Sequence, residues 1–259
     1  MPDVEQQTGL TETAIAQLQA EVARLLEELA RHEREAASKE HQLERYAADL
    51  RETFKQERAR SLELQESYMA TVRALSNAVE ARDSYTAKHA ERVAAYSLTL
   101  GQAMGLELSA DPATEFGFLL HDVGKVAISD AILYKPGKLT CDERAEMQRH
   151  PVVGASIVAG IGFLGVAAEV VRHHHERWDG EGYPDKLAGE QIPLAARVFA
   201  VADVLDALTT DRPYRARLSW AQARAEIMAG AGSHFDPAVV AAFDEIPDET
   251  FARIAEQIG

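Results

Sequence analysis

The segment HHHERWDGEGYP, residues 173–184, combines imidazole, carboxylate and glycine residues in a short stretch of chain. Imidazoles and carboxylates at this density are typical of a metal site or an acid–base site. Gly180 and Gly182 can adopt positive φ, while Pro184 fixes its own φ and favours an extended Tyr183. We therefore expect a stiff, exposed loop directly after the histidines.

Further imidazoles and carboxylates lie within or beside apolar helical stretches. His121 and Asp122 come directly after the apolar run FGFLL, so both side chains should emerge from a buried element. A buried carboxylate and imidazole are costly unless they are paired or bound to metal. For an isolated pair, a structural hydrogen bond is the simpler interpretation. Here similar groups recur on other predicted helices, at His89, His150 and Asp203.

The elements that must position these residues are helical in pattern. Thr140 and Glu143 form a predicted capping box after the turn KPGK, and Pro151 fits the first position of another helix. The run AARVFAVADVLDALT is typical of an apolar helix with Asp203 set into it. Alternating β-branched runs are scarce, so we predict an all-α fold.

The composition excludes several classes of protein. The 259 residues carry a net charge of −15, from 42 acidic and 27 basic residues, which disfavours binding to nucleic acid polymers. The single cysteine, Cys141, excludes an intramolecular disulfide and fits a reducing compartment. The first ten residues lack the apolar stretch of a signal peptide, so we expect a cytoplasmic protein.

Residues 152–171 are apolar and long enough to cross a bilayer. However, Gly160, Gly162 and Gly165 interrupt this stretch, and Glu169 would lie within it. Two buried helices joined by a glycine-rich turn are the preferred interpretation, so we predict no membrane association.

A heptad seam runs along the N-terminal part of the chain with alternating steps of three and four residues. Its members are Ile15, Leu18, Val22, Leu25, Leu29, His32, Ala36, Lys39, Leu43, Tyr46 and Leu50. The alternative is a lone amphipathic helix packed on the globular part, but so long a seam exceeds the partner surface of one small domain. We predict a coiled coil over residues 1–66 that forms a parallel homodimer from residue 15 onwards. A globular domain over residues 67–259 should follow within one continuous helix.

The order of these polar residues resembles a known family. His89, the His121–Asp122 pair and Asp203 match the H…HD…D pattern of the HD phosphohydrolase superfamily. The blocks HDVGK, KPGKLT, HHERWDGEGYP and DALTTDRPYR are similar to those of the HD-GYP family within it, from roughly Val79 to Asp236. The resemblance implies a helical bundle that encloses a metal centre. It also implies hydrolysis of the second messenger cyclic di-GMP to pGpG and on to GMP.

The same resemblance implies a set of metal ligands. The matching positions are His89, His121, Asp122, His150, His174, His175 and Asp203. Asp122 would bridge two divalent ions, with iron or manganese favoured, that activate a shared water and clamp the attacking and leaving oxygens. We expect His89, His121, Asp122 and Asp203 around one ion, and Asp122, His150, His174 and His175 around the other.

Four nearby residues are expected outside this ligand set. Three adjacent residues on a helix spread over about 200°, so His173 should not share the site with its two neighbours. Glu176 should orient a ligating imidazole. His234 is predicted to be a surface or capping residue. Tyr85 occupies the position of a third-ion Glu in some relatives, and because a phenol is a poor ligand at neutral pH, we expect two ions.

Cationic and aromatic side chains complete the predicted site. Asp122 and Lys125 are the predicted catalytic residues, because Lys125 lies one turn beyond the HD pair and can reach a phosphate oxygen. Arg212 and Arg215 offer guanidinium forks for phosphate, with ordinary surface pairing as the alternative. Tyr183 is expected to bind substrate at the pocket edge, and the resemblance links its loop to GGDEF-domain partners.

Two other functions remain open from the sequence. One is a non-catalytic module that binds cyclic dinucleotides for signalling, but such members usually lose ligands and the matched positions here are intact. The other is an HD hydrolase of a different nucleotide, such as a mixed cyclic dinucleotide or a phosphomonoester. The first 66 residues leave no room for a sensor domain, so the usual regulatory input of the family is either missing or supplied by the coil and its partners.

Overall fold

The computed structural model describes residues 3–82, 88–165, 167–211 and 215–259, and for residues 3–14 and 110 it describes the backbone alone. Within these ranges the chain forms helices and no β-strand, which confirms the all-α prediction. The α-helices are α1 (Asp3–Glu80), α2 (His89–Ala103), α3 (Pro112–Leu119), α4 (Asp130–Leu133), α5 (Cys141–Met147), α6 (His150–Ala159), α7 (Ala167–His173), α8 (Leu194–Thr209), α9 (Trp220–Ala229), α10 (Pro237–Asp244) and α11 (Asp248–Ile258).

The chain divides into two units, residues 1–65 and 66–259. The first unit consists of helix, and its described apolar seam is exposed in the single chain. Leu18 and Leu50, for example, are 65% and 69% exposed. Such a seam is typical of a helix that pairs with another helix, and the coiled coil stays a prediction.

Local signals set the helix boundaries of the second unit, as predicted at one boundary and shifted by one residue at another. The capping box is present, because the Thr140 hydroxyl accepts the Glu143 N–H at 3.3 Å and the Glu143 carboxylate accepts the Thr140 N–H at 2.8 Å. Helix α6 begins at His150, which places Pro151 second in the helix and not first.

The apolar stretch 152–171 forms parts of two helices joined by a turn, as predicted. Helix α6 ends at Ala159 and α7 begins at Ala167. Among the described residues, no helix combines the length and apolarity that a membrane crossing requires.

The core of the second unit lies directly beneath the polar residues of interest. Helix α2 packs against α3 and α8, and α7 packs against α3 and α6. The rings of Phe118 and Phe199 stack with centroids 5.6 Å apart, and Phe199 also contacts His121 at 4.8 Å. Helix α8 carries Asp203 one turn after Phe199, so the same helix face that joins the core also bears a carboxylate.

The C-terminal part of α1, from residue 66, contributes to this core. Val72 is 1% exposed, and the Ser76 hydroxyl donates to the carbonyl oxygen of Leu119 at 2.7 Å. The rings of Tyr68 and Phe163 stack at 4.2 Å. These contacts fix the end of α1 against the segment that leads into His121.

Candidate metal centre

Two clusters of imidazoles and carboxylates meet in the second unit. Within each cluster the candidate ligand atoms lie within 4.8 Å of one another. The first cluster contains His89, His121 and Asp203, and the second contains Asp122, His150, His174 and His175. Asp122 also reaches the first cluster, because its Oδ2 lies 3.2 Å from His121 Nε2 while its Oδ1 lies 3.3 Å from His150 Nε2. The structure therefore brings together the seven residues that the motifs single out.

Three of the imidazoles are oriented by their own turn of chain. The Nδ1 atoms of His121, His150 and His174 each donate to the carbonyl oxygen three residues earlier, at 2.9, 2.8 and 2.8 Å. A carbonyl can only accept a hydrogen bond, so Nδ1 carries the proton in each ring. When these imidazoles are neutral, Nε2 therefore points its lone pair at the clusters.

The second cluster has the properties of a cation site. The Nε2 atoms of His150 and His174 lie 3.3 Å apart, and two facing lone pairs at this distance repel unless a cation lies between them. Burial, together with His175 and His121, holds the pKa of His174 well below its usual value. Burial and His150 lower the pKa of His175 to about 3. Neutral imidazoles are the form that ligates metal.

The carboxylates of the clusters are ionised. Burial alone would raise the pKa of Asp122, but Lys125 and His121 hold it well below its usual value. Burial would also raise the pKa of Asp203, and its hydrogen bond to His89 instead lowers it to about 2. Ionised carboxylates, with the neutral imidazoles of His174 and His175 and without thiolates, fit a divalent metal centre.

The first cluster depends on a buried ion pair that the sequence analysis missed. His89 Nδ1 lies 2.7 Å from Asp206 Oδ2, and Arg92 Nε donates to Asp206 Oδ1 at 2.7 Å. His89 Nε2 then faces Asp203 Oδ1 at 3.3 Å. Burial would lower the pKa of His89, but the two carboxylates raise it to about 10. The available signal was spacing, because Arg92 and Asp206 each lie one turn after a predicted ligand.

The triple histidine is not helical throughout. Helix α7 ends at His173, so His174 and His175 follow in a turn, and the helical spacing argument does not apply to them. His173 nevertheless belongs to a different cluster, with Glu176 and Asp185.

Glu176 does not orient a ligating imidazole as predicted. Its buried carboxylate accepts the backbone N–H of Asp185 at 2.7 Å and that of Leu187 at 3.1 Å. Both donors follow the Tyr183–Pro184 pair. Glu176 therefore fixes the loop that follows the histidines, because an ionised acceptor makes strong hydrogen bonds to amides.

The loop is exposed only in part: Asp179 and Glu181 are exposed as predicted, but Gly182 is buried. Gly180 has φ of 79°, but Gly182 is absent from the positive-φ residues described and is required for a different reason. A Cβ at Gly182 would lie 2.4 Å from the backbone nitrogen of Arg177 and 2.5 Å from Cα of Glu176. Close backbone approach buries Gly182, and Tyr183 is half-buried with its ring 4.7 Å from that of His175.

A cavity of about 430 Å³ opens over both clusters. Lys125 lines it, with Nζ 2.7 Å from Asp122 Oδ2. Tyr183 also lines it, and burial together with the Asp122 charge raises the pKa of its phenol, which stays protonated as a hydrogen-bond donor. His234 lines the same cavity and stacks on Phe235 at 4.3 Å, so it is not the surface or capping residue predicted. The sequence analysis also missed three cavity residues: Gln148, Arg177 and Glu181.

Neither of the two arginines predicted to bind phosphate is among the described residues that line the cavity. Arg215 is exposed, and its guanidinium donates to the carbonyl oxygen of Ala207, a residue that lines the cavity. Arg212, predicted to bind phosphate, and Tyr85, predicted not to hold a third ion, lie outside the described residues.

The HD domain family model matches residues 73–239. The chain is 44% identical over 193 residues to the 3′3′-cGAMP-specific phosphodiesterase 2 of Vibrio cholerae, covering 74% of this chain and 37% of the relative. It is 43% identical over 180 residues to the cyclic di-GMP phosphodiesterase response regulator RpfG of Xanthomonas campestris, covering 69% of this chain and 48% of the relative. The chain thus spans less than half the length of either relative.

Solved structures share the fold. The crystal structure of a cyclic GMP-AMP-specific phosphodiesterase of V. cholerae matches with a TM-score of 0.53 at 20% identity, covering 71% of this chain and 52% of that one. An HDG"Y"P protein from Bdellovibrio bacteriovorus matches with a TM-score of 0.52 at 20% identity, covering 70% of this chain and 63% of that one.

Proposed function

Since the chain belongs to the HD domain family, we propose that it is a metal-dependent phosphodiesterase that hydrolyses cyclic di-GMP to pGpG and then to GMP. The observation that carries this proposal is the position of Asp122. Its two carboxylate oxygens contact one imidazole from each cluster, which is the arrangement that a carboxylate bridging two ions requires. The names of relatives such as RpfG support cyclic di-GMP as the substrate.

Each part of the chain has a distinct task in this reaction. The seven clustered side chains hold two divalent ions, for which iron or manganese suits the mixed nitrogen and oxygen ligands. When bound, such ions neutralise phosphate charge and lower the pKa of water. Lys125 places an ammonium beside Asp122, where it pairs with a phosphate oxygen. The protonated phenol of Tyr183 donates a hydrogen bond to the substrate from the side of the loop.

A second candidate substrate is 3′3′-cGAMP. It is supported by the 44% identical relative that is named for this substrate. Both cyclic dinucleotides present the same pair of phosphodiesters to the clusters, so the difference must be recognised at the bases. A non-catalytic binding module is the remaining alternative.

Parallel incubations test these proposals. Metal-loaded protein is incubated with cyclic di-GMP or 3′3′-cGAMP, and the products are separated by chromatography. We expect cyclic di-GMP to be hydrolysed to pGpG faster than 3′3′-cGAMP is hydrolysed. After chelation of the metal we expect no products from either substrate. Equal rates with chelated and loaded protein would exclude the metal mechanism, and tight binding without products would favour the binding module.

The number of ions is tested separately. We expect elemental analysis of loaded protein to give two ions per chain, divided between the clusters with Asp122 shared. Three ions per chain, with Tyr85 as a ligand, would contradict this division.

We also propose a cytoplasmic parallel homodimer formed through the seam from residue 15 to about 66, with a GGDEF-domain protein as a further partner. The heptad spacing and the exposure of the seam support the dimer. The single cysteine fits a reducing compartment and supports the location. The position of the loop beside the cavity supports a partner that acts on access to it.

A further inference from the structure

The end of α1 is tied to the first cluster through a buried carboxylate. Glu80 accepts the backbone N–H of Lys88 at 3.0 Å and that of Ala90. These residues flank His89 at the start of α2. Glu80 thereby satisfies amides that have no partner within the helix.

Arg82, directly after α1, is tied to the other side of the site. Its Nη1 donates to the carbonyl oxygens of Lys125 and Val126 at 3.0 and 2.9 Å, and its Nη2 donates to that of Ile128 at 2.7 Å. These carbonyls lie at the end of the 3₁₀ helix Val123–Ala127. The last carbonyls of a helix need partners from outside it, and a guanidinium fork supplies several at once.

The segment that Arg82 holds carries Lys125. The carbonyl oxygen of Lys125 accepts a hydrogen bond from Arg82. The ammonium of Lys125 lies 2.7 Å from Asp122 Oδ2 on the cavity side. Because staggered rotamers fix the reach of a side chain from its backbone, a shift of this backbone moves the ammonium with it.

We propose that Arg82 is a positioning residue for Lys125, and that through it the end of α1 controls how well the site stabilises the substrate phosphate. This inference rests on the proposed phosphodiesterase function. Arg82 contacts neither cluster ligands nor the cavity lining side chains in the contacts described, so its effect on the reaction passes through the backbone of residues 125–128.

If Arg82 had a purely structural role, its loss would lower the melting temperature or the metal content as much as kcat. Besides these carbonyls, the Arg82 guanidinium pairs with the carboxylate of Asp130 at 2.7 Å, and the Asp130 side chain is 70% exposed. Pairs this open to solvent add little to stability. Loss of Arg82 should therefore change kcat more than the melting temperature or the metal content.

The test uses the full chain with Arg82→Gln, Lys125→Ala and the double variant. Arg73→Gln is the matched control, because Arg73 lies nine residues before Arg82 but pairs with Glu115 at 3.6 Å, away from the site. We expect Arg82→Gln to lower kcat for cyclic di-GMP about tenfold, with KM, metal content and melting temperature near those of wild type. Arg73→Gln should behave as wild type. The double variant should be no slower than Lys125→Ala, since both changes remove the same interaction.

Several results would overturn the inference. One is a kcat of Arg82→Gln equal to that of the wild type. Another is a double variant whose loss of kcat equals the product of the losses in the two single variants. Loss of metal together with activity would assign Arg82 a structural role instead.

If the wild-type protein hydrolyses no cyclic dinucleotide, the proposed function fails, and hydrogen exchange then tests the positioning role alone. In that measurement Arg82→Gln must speed the exchange of amides in residues 123–130, and unchanged exchange contradicts the inference.

Discussion

His89 Nδ1 and Asp206 Oδ2 lie 2.7 Å apart, and this contact joins the start of α2 to the middle of α8. Asp206 is 2% exposed and also accepts from Arg92, which is 5% exposed. The carboxylate thus sets the direction of the His89 ring and balances a buried guanidinium. Orientation of a ligand and stability of the helix pair depend on one residue.

Asp206→Asn should weaken metal binding about 10–100-fold, because the outer partner of a ligating imidazole is lost. It should also destabilise the fold by about 3–5 kcal/mol, because Arg92 loses its charged partner inside the protein. Titration calorimetry with Mn²⁺ and urea unfolding measure the two effects. Asp248→Asn, which removes a carboxylate paired with Arg224 away from the clusters, is the control. Unchanged Mn²⁺ affinity in Asp206→Asn would show that His89 is oriented without it.

Asp122→Ala should abolish hydrolysis. It removes the carboxylate that contacts both clusters and leaves the facing imidazoles without a shared anion. Elemental analysis should show the loss of at least one ion per chain. A variant that kept two ions and its activity would assign the bridging role to another residue.

Lys125→Ala should weaken the binding of the transition state by roughly 1.5–3 kcal/mol, which is the contribution of one charge-assisted hydrogen bond, and kcat/KM should fall accordingly. This corresponds to a loss of about 10- to 150-fold. Because Lys125 is not among the clustered candidate ligands, the metal content should stay at the wild-type value. Steady-state kinetics beside metal analysis separates this result from that of Asp122→Ala.

Leu25→Lys should dissociate the predicted dimer, because it places a charge in the apolar seam. Leu26→Lys is a closely matched control, since Leu26 is also apolar and exposed (61%, against 51% for Leu25) but lies off the seam. Light scattering at micromolar concentration should give a monomer for the first variant and a dimer for the second. A monomeric wild type would refute the coiled coil.

Gly182→Ala should lower activity and destabilise the chain by about 1–3 kcal/mol, the usual cost of overpacking. The added Cβ meets the backbone of Glu176 and Arg177, so the loop must move and Tyr183 with it. Gly162→Ala is the control, because a Cβ there meets nothing within 4 Å. Kinetics and urea unfolding of both variants should separate them. Equal behaviour would mean that the loop adapts without cost.

The sequence predicted those features whose signal is local. The Thr140–Glu143 capping box needs only adjacent residues, and the helices follow from apolar spacing. The resemblance to the HD-GYP family, carried by blocks of adjacent residues, is confirmed at the level of the family. The metal ligands themselves were placed by that resemblance, and the structure gathers them in the two clusters.

The features that were missed depend on contacts between distant segments. Asp206 acquires its role from a histidine 117 positions earlier in the chain. Glu176 was given the wrong partner because the groups that donate to its carboxylate are backbone N–H groups, which leave no mark in the sequence. His234 reaches the cavity because its carbonyl oxygen accepts the N–H of Trp178 at 3.2 Å. No composition or periodicity encodes such a bond.

The hydrogen bonds from His121, His150 and His174 to carbonyls three residues earlier separate two properties of the centre. Which ring nitrogen is offered to a metal is decided within four consecutive residues and is independent of the rest of the chain. Where that nitrogen lies is decided by how the helix ends pack. Connecting loops can therefore lengthen or shorten over evolutionary time without altering the chemical identity of these three ligands. His89, whose ring is oriented by Asp206 on another helix, instead ties ligand chemistry to tertiary packing.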